Sequence, residues 1–302
     1  MKEDLIGIHW DHISMRDRSK PVITLTTDFG WQDPYVGIMK GVILNIAPDA
    51  TIVDLTHGIC SHDIMEAALI LKSSCRYFPR GSIHVVVVDP GVGSDRRPLL
   101  AVDPHHSFVG PDNGVLSLAL SQDNPGRVFH LTEQRFFLDR ISRTFHGRDV
   151  FAPVAAWLSQ GVMPTEMGKE VSSILELRIP EIKRVAENRW VGTVLRIDKF
   201  GNLITNIAGP EFEMALRPQS LFQLCLGQHT ITCLRESYGV APPGELFAIW
   251  GSAGWLEISS NQASAAGILR AQKSQEFTIE VLSAQGSGVS GSGSPGDHLP
   301  GS

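Results

Sequence analysis

The chain has 302 residues, enough for two domains and a large core. Its formal net charge is -6 with 19% charged residues, which excludes the basic surface that nucleic acid or anionic lipid requires. Cys60, Cys75, Cys225 and Cys233 form no Cys-x-x-Cys pair and no zinc-ligand spacing, so they read as reduced thiols of a cytoplasmic protein. No apolar run approaches the roughly 18 residues of a membrane span.

Residues 1–20 mix charges with few apolar side chains and read as a loose leader. Val22–Thr27 (VITLTT) has strand composition and ends in Asp28-Phe29-Gly30. A protein-kinase reading of that triple fails, because no glycine-rich loop, strand lysine or His-Arg-Asp loop accompanies it. Asp33-Pro34-Tyr35 marks a helix start, and apolar residues at helical spacing run from Val36 to Ile46 before Pro48. Thr51 to Leu55 reads as a short strand leading into Thr56-His57-Gly58. Asp63 caps a predicted helix ending near Ser74, with Ala67, Ala68, Ile70 and Leu71 inward.

The run from Ile83 to Val88, broken only by His84, predicts a strand buried on both faces, the central kind in parallel sheets. It ends at Asp89 and a Pro-Gly-Val-Gly turn whose glycines allow close backbone approach. Ligands of open α/β sheets bind beyond such carboxyl ends. Arg96 follows closely enough to fold back onto Asp89. Leu99–Val102 and Ser107–Val109 read as strands, Pro111-Asp112-Asn113-Gly114 as a turn, and Val150 to Ser159 as a helix. This alternation predicts an α/β domain over 21–160 with a largely parallel central sheet. Residues 161–189 read as a connection. From Trp190 the runs are short and β-like, predicting a smaller antiparallel β-barrel domain over 190–283. Residues 284–302 have the Gly/Ser-rich composition of flexible linker.

Asp28, Asp89 and the Thr56/His57 pair all follow predicted strands, so one crevice can collect them. Each aspartate taken alone reads equally well as a helix cap or Asx turn. His57 reads first as a structural hydrogen-bonding residue, and His62, His105 and His106 as loop histidines. His146, between Phe145 and Gly147 and followed by Arg148-Asp149, fits either role. Residue types allow a metal site from Asp28, His57, Asp89 and His146, but His-Glu-x-x-His, helically spaced histidines and a cysteine ligand set are all missing. So are a Gly-x-Ser-x-Gly elbow, a Walker loop and a dinucleotide fingerprint. The residues by themselves stop at a two-domain enzyme or binder of a small polar ligand.

The ordered blocks TTDFG (26–30), DPYVG (33–37), IVDLTH (52–57), FPRGSIHVVVVDPGVG (78–93), GPDNG (110–114), TFHGRDVFAP (144–153), IDKFGNLITNI (197–207) and GSAGWLEI (251–258) go further. Together they resemble the S-adenosyl-L-methionine hydrolase family, also called S-adenosyl-L-methionine hydroxide adenosyltransferases, relatives of the fluorinase and chlorinase. The resemblance implies an α/β domain joined to a smaller β-barrel. It also implies a homotrimer with active sites between subunits, and hydrolysis of S-adenosyl-L-methionine to adenosine and L-methionine. It assigns an Asp-Arg-His set around the attacking water to Asp89, Arg96 and His146, and ribose binding to Asp28. Asp198 and Ser252 match positions that hold the methionine ammonium and carboxylate, Asn202 an adenine contact and Phe200 an aromatic packing residue. It implies no metal and no cofactor beyond the substrate.

Two departures accompany the resemblance. The segment Tyr77 to Gly81 is expected to match one that holds halide through a threonine in the fluorinase, and Arg80 stands there instead. Ala253 replaces an arginine beside the methionine-binding serine, leaving backbone amides around Gly251 to Gly254 for the carboxylate. The halogenases also lack the intact Asp-Arg-His set that this chain retains, so hydroxide is the expected nucleophile. The alternatives are a halogenase of the same family, a non-catalytic binder of adenosine or S-adenosyl-L-methionine, and a metal-dependent nucleotide hydrolase.

Overall fold

The computed structural model describes residues 21–120 and 126–282, so the leader over 1–20 and the tail over 284–302 lie outside the described residues. The chain divides into two units, the first ending at Arg178 and the second beginning at Ile179.

In the first unit, β1 (Val22–Thr27), α1 (Tyr35–Ile46), β2 (Thr51–Thr56), α2 (Ile64–Ser74) and β3 (Ile83–Val87) lie within a residue or two of their predicted limits. They are followed by β4 (Pro98–Val102), β5 (Ser107–Pro111), β6 (Arg127–Leu131), α3 (Ala152–Ser159), α4 (Pro164–Met167) and β7 (Gly168–Val171). All seven strands join one sheet in the order β2-β1-β3-β5-β4-β6-β7.

Strand β3 shows why that order is stable. Ile83, Val85 and Val87 pack with Val36, Met39 and Ile43 of α1 and Val154 and Ala155 of α3, while Val86 and Val88 pack on the other side with Ala67 and Leu71 of α2. Alternate side chains thus enter two cores, and each fully buried Val or Ile contributes roughly 1.5–3 kcal/mol. The Asp63 side chain accepts from the Glu66 N–H and starts α2 at the expected place.

The sheet is parallel on one side only. β1 pairs parallel with β2 and β3, and β3 with β5, whereas the β4–β5, β4–β6 and β6–β7 pairings are antiparallel. The cause is the short turn between Val102 and Ser107, which leaves no room for the crossover that a parallel neighbour needs. The stretch 161–189, expected as a connection, carries β7, which extends the first sheet, and β8 (Lys183–Ala186), which pairs with β9 (Arg189–Ile197).

The second unit continues with β10 (Leu203–Ala208), α5 (Pro210–Ala215), β11 (Phe222–Leu226), β12 (His229–Ile231), β13 (Leu234–Arg235), β14 (Leu246–Trp250), β15 (Trp255–Ser260), α6 (Ala265–Leu269) and β16 (Glu276–Val281). Its nine-stranded sheet follows the path β12-β11-β16-β9-β10-β15-β14-β13, with β8 added beside β9. All its pairings are antiparallel except β13–β14, and the sheet curls enough to bring β12 against β14. Its core gathers Phe222, Leu224, Leu256, Ile258, Phe277 and Ile279. No helix among the described residues is long and apolar enough to cross a membrane.

Candidate active site

The parallel half of the first sheet brings three predicted residues to one edge by register alone. Thr27 pairs with Val87 across β1 and β3, and Thr26 with Thr56 across β1 and β2. Asp28, the Val88-Asp89 step and His57 therefore leave the sheet together, at the carboxyl ends where such sheets bind ligands.

Arg96 folds back onto Asp89 as expected. Its Nε donates to Oδ1 at 2.9 Å and to Oδ2 at 3.0 Å, and its Nη2 donates to Oδ2 as well. The same Nη2 donates to His146 Nδ1 at 2.7 Å. The Arg96 and Asp89 side chains are only 8% and 5% exposed, and the Phe151 ring lies under the guanidinium with its centroid 5.4 Å away. A guanidinium only donates, so Nδ1 of His146 is the acceptor and the ring proton sits on Nε2. Burial, joined by the neighbouring Arg96 charge, pushes the His146 pKa down, against the pull of Asp89 and Asp149. The ring is accordingly neutral at neutral pH. Arg96 Nη1 is buried with no hydrogen-bond partner among the described residues.

Two local features deliver His146 to this pair. Gly93 has a φ of +78°, and a Cβ built there would lie 2.2 Å from the Arg143 carbonyl oxygen, so only glycine lets the Asp89 turn and the His146 loop touch. Immediately after His146 the chain forms a π-helical turn over Gly147–Phe151, where an α-helix starting at Val150 was expected. Buried Asp149 anchors this turn, accepting from the Ser142 N–H at 2.7 Å and from Arg148 Nε at 2.6 Å.

Asp28, Asp89 and His146 line one cleft of about 320 Å³. Asp28 Oδ2 accepts from the His62 N–H at 2.8 Å, and His62 takes a φ of 68° to present it. Phe29, Tyr35 and Phe145 add an aromatic wall, meeting edge to face with centroids 5.7, 5.8 and 5.3 Å apart. That wall and the His62 amide were not singled out in the sequence, because an aromatic beside a turn reads equally well as core.

Other histidines part from expectation. Both His57 nitrogens are engaged within the first unit, Nδ1 with Thr27 Oγ1 and Nε2 with Asp54 Oδ1, which takes the ring out of the suggested ligand set. Among the described residues no group of three or more His, Cys, Asp or Glu side chains is placed to hold a metal ion. His106, read as a loop residue, is buried against His84 with ring centroids 5.0 Å apart. Arg80 is not at the cleft. It stands before β3, close enough to His106 to depress that ring's pKa together with burial, whereas Asp89 and the cleft follow β3. Contrary to the expectation for the segment Tyr77 to Gly81, Arg80 lies at the opposite end of the strand from the cleft and does not bear on the choice of nucleophile there.

In the second unit, Asp198, Phe200 and Asn202 share the turn between β9 and β10. Asp198 Oδ1 accepts from the backbone N–H groups of Phe200 and Asn202, both at 2.9 Å, and Oδ2 accepts from Asn202 Nδ2 at 2.9 Å. Phe200 is 75% exposed at the tip and Asn202 is buried. Ser252 lies on a different turn, between β14 and β15, and is exposed. Glu257, unnoticed in the sequence, borders that turn: a Cβ on Gly251 would fall 1.9 Å from its Oε1. Burial pushes the Glu257 carboxyl up and the Asp198 charge adds to it, against the hydrogen bond donated by Tyr238.

Known proteins carry the same two halves in the same order. The N-terminal domain of the SAM hydroxide adenosyltransferases matches residues 23–168, and their C-terminal domain matches residues 192–278. An (R)-S-adenosyl-L-methionine hydrolase from Thermus thermophilus is 38% identical over 82% of this chain and 94% of its own. Another from Methanocaldococcus jannaschii is 34% identical over 88% of this chain and 98% of its own. A fluorinase from Nocardia brasiliensis is 25% identical over 82% of this chain and 92% of its own. The crystal structure of a conserved protein from Thermotoga maritima superposes with a TM-score of 0.79 at 31% identity, covering 85% of this chain and 99% of that one. With both domains matched across most of their length, the chain belongs to the SAM hydroxide adenosyltransferase family.

Proposed function

We propose that the protein hydrolyses S-adenosyl-L-methionine to adenosine and L-methionine, with water attacking the ribose C5′ carbon opposite the departing sulfur. The observation that carries this reading is the Asp89–Arg96–His146 cluster, whose Asp89 and His146 line the same cleft as Asp28. The relatives described above as (R)-S-adenosyl-L-methionine hydrolases support the substrate.

The chemistry suits these groups. A sulfonium leaves without an acid, so the site has only to supply and aim a nucleophile. His146 Nδ1 is taken by Arg96, which leaves the imidazole a donor through Nε2–H to a water lone pair. The water's proton then passes to the Asp89 carboxylate, and Arg96 spreads the charge of the cluster. Positioned proton transfer contributes on the order of 10²–10⁴-fold, while holding water and C5′ in a near-attack geometry contributes up to roughly 7–11 kcal/mol. Positioning is the larger share. Asp28, with one oxygen held by the His62 amide, reads the ribose hydroxyls with the other. The Phe29, Tyr35 and Phe145 rings suit a cationic, partly apolar ligand.

We assign Asp198, Phe200, Asn202 and Ser252 to the methionine and adenine ends of the substrate on the strength of the sequence resemblance. That resemblance also supports a homotrimer with inter-subunit active sites and no requirement for metal or added cofactor, while the four scattered cysteines, read as reduced thiols, support cytoplasmic action. Purified protein incubated with the substrate should release adenosine and methionine in equal amounts, survive exhaustive chelation, and sediment at three times the chain mass. Tight binding without release would favour a sensor. Appearance of 5′-halo-5′-deoxyadenosine on adding fluoride or chloride would favour a halogenase.

A further inference from the structure

Behind the cleft runs a polar chain that the hydrolytic mechanism does not use. The Phe29 N–H donates to Thr27 Oγ1 at 3.2 Å, the Thr27 hydroxyl donates to His57 Nδ1 at 2.8 Å, and His57 Nε2–H donates to Asp54 Oδ1 at 2.9 Å. Lys40 Nζ closes it by donating to Asp54 Oδ2 at 2.6 Å. The Asp54 carboxylate can only accept, so the proton of a neutral His57 imidazole sits on Nε2, and Nδ1 is left to accept from the Thr27 hydroxyl. Thr27 is fully buried and His57 is 1% exposed, while Lys40 and Asp54 keep side-chain exposures of 30% and 26%. Burial opposes charge on Asp54, yet the hydrogen bonds from His57 and Lys40 hold its pKa below the ordinary value.

The chain converges on one turn. His57 reaches the Phe29 amide through Thr27, and its own carbonyl accepts from the Gly30 N–H at 2.8 Å, with Gly30 at a φ of +66°. The two amides that follow Asp28 are thus both fixed by one residue of the neighbouring strand end. The Trp31 ring covers the imidazole edge to face at 4.7 Å.

We propose that Thr27, His57 and Asp54 act as positioning residues that set the Asp28 carboxylate in register for the ribose hydroxyls, and so determine selectivity for a ribonucleoside over its 2′-deoxy form. This rests on the assignment of Asp28 to the ribose. A carboxylate aimed by a rigid, fully paired turn discriminates strongly against a ligand that lacks the hydroxyl, because a loose one finds water instead.

The test compares the full chain with its Thr27→Val, Thr27→Ser, Asp54→Ala and Asp28→Ala variants, measuring dissociation constants for adenosine and 2′-deoxyadenosine together with kcat and KM for S-adenosyl-L-methionine. Thr27→Val keeps the strand shape and removes the hydroxyl. It is expected to weaken adenosine binding about tenfold, the effect of stranding two buried polar groups. It should also shrink the adenosine preference and raise KM more than it lowers kcat. Thr27→Ser should restore the preference, and Asp54→Ala should move it in the same direction as Thr27→Val, standing in for that variant if it does not fold. Equal behaviour of the Val and Ser variants, or an unchanged preference with only a lower melting temperature, would overturn the proposal. Loss of preference in Asp28→Ala but not in Thr27→Val and Asp54→Ala would sink the positioning role alone. Retained preference in Asp28→Ala would sink the ribose assignment itself.

Discussion

Arg96 carries two duties with one planar group: a fork on Asp89 and a single donor to His146. Lysine cannot reproduce the fork, so Arg96→Lys is expected to lower kcat at least tenfold with a small change in substrate affinity, checked by steady-state kinetics. Arg96→Ala is the poorer probe, because it strands an Asp89 side chain that is 5% exposed and costs about 3–5 kcal/mol of stability. His146 fixes the pH dependence. Its pKa is lowered by burial and by Arg96, so kcat/KM should stay flat above its ordinary value of 6.5 and fall only on the acid side of it. Protonation there would place an N–H where Arg96 already donates. His146→Asn keeps an acceptor for Arg96 but removes the ring, and should lower kcat by roughly 10²-fold and erase the acid limb.

At the scale of elements, β3 couples the site to stability. His84 is fully buried in the strand, and its Nδ1 meets Thr24 Oγ1 at 2.8 Å. Burial, with the His106 charge beside it, lowers its pKa from 6.5 to about 3. The folded state therefore refuses a proton that the unfolded chain accepts. Stability from this residue is complete above pH 6.5 and is lost as pH falls toward 3, by about 1.4 kcal/mol per unit. Denaturant melts at pH 7 and pH 5 should show His84→Phe flattening that slope by about 2 kcal/mol; an unchanged slope would place the acid sensitivity elsewhere. Elements built from local pattern were legible in the sequence: β1, α1, β2, α2 and β3 announce themselves through β-branched runs, helical spacing and the Asp63 cap. Strand partners were not, because a run such as Pro98–Val102 says nothing about whether its neighbour lies parallel. Asp89 and Arg96 were readable from a short separation across a glycine turn. His146 needed the family resemblance, since neither the π-helical turn nor the Gly93–Arg143 approach leaves a local signature. The Thr27–His57–Asp54 chain joins two strand ends and becomes visible only once the sheet register is known.

The molecule as a whole separates two tasks between two architectures. A parallel half-sheet brings Asp28 and Asp89 to one cleft that the loop before the π-helical turn completes with His146, and a mostly antiparallel sheet displays Asp198, Phe200 and Asn202 on one tight turn. In the proposed reaction this cleft aims a solvent molecule at C5′. Single-turnover reaction in oxygen-18 water tests it most directly, with mass spectrometry of both products. Adenosine should carry one heavy oxygen at the 5′ position, and methionine should carry none. Free adenine, a ribosyl-methionine fragment, or unlabelled adenosine would contradict it.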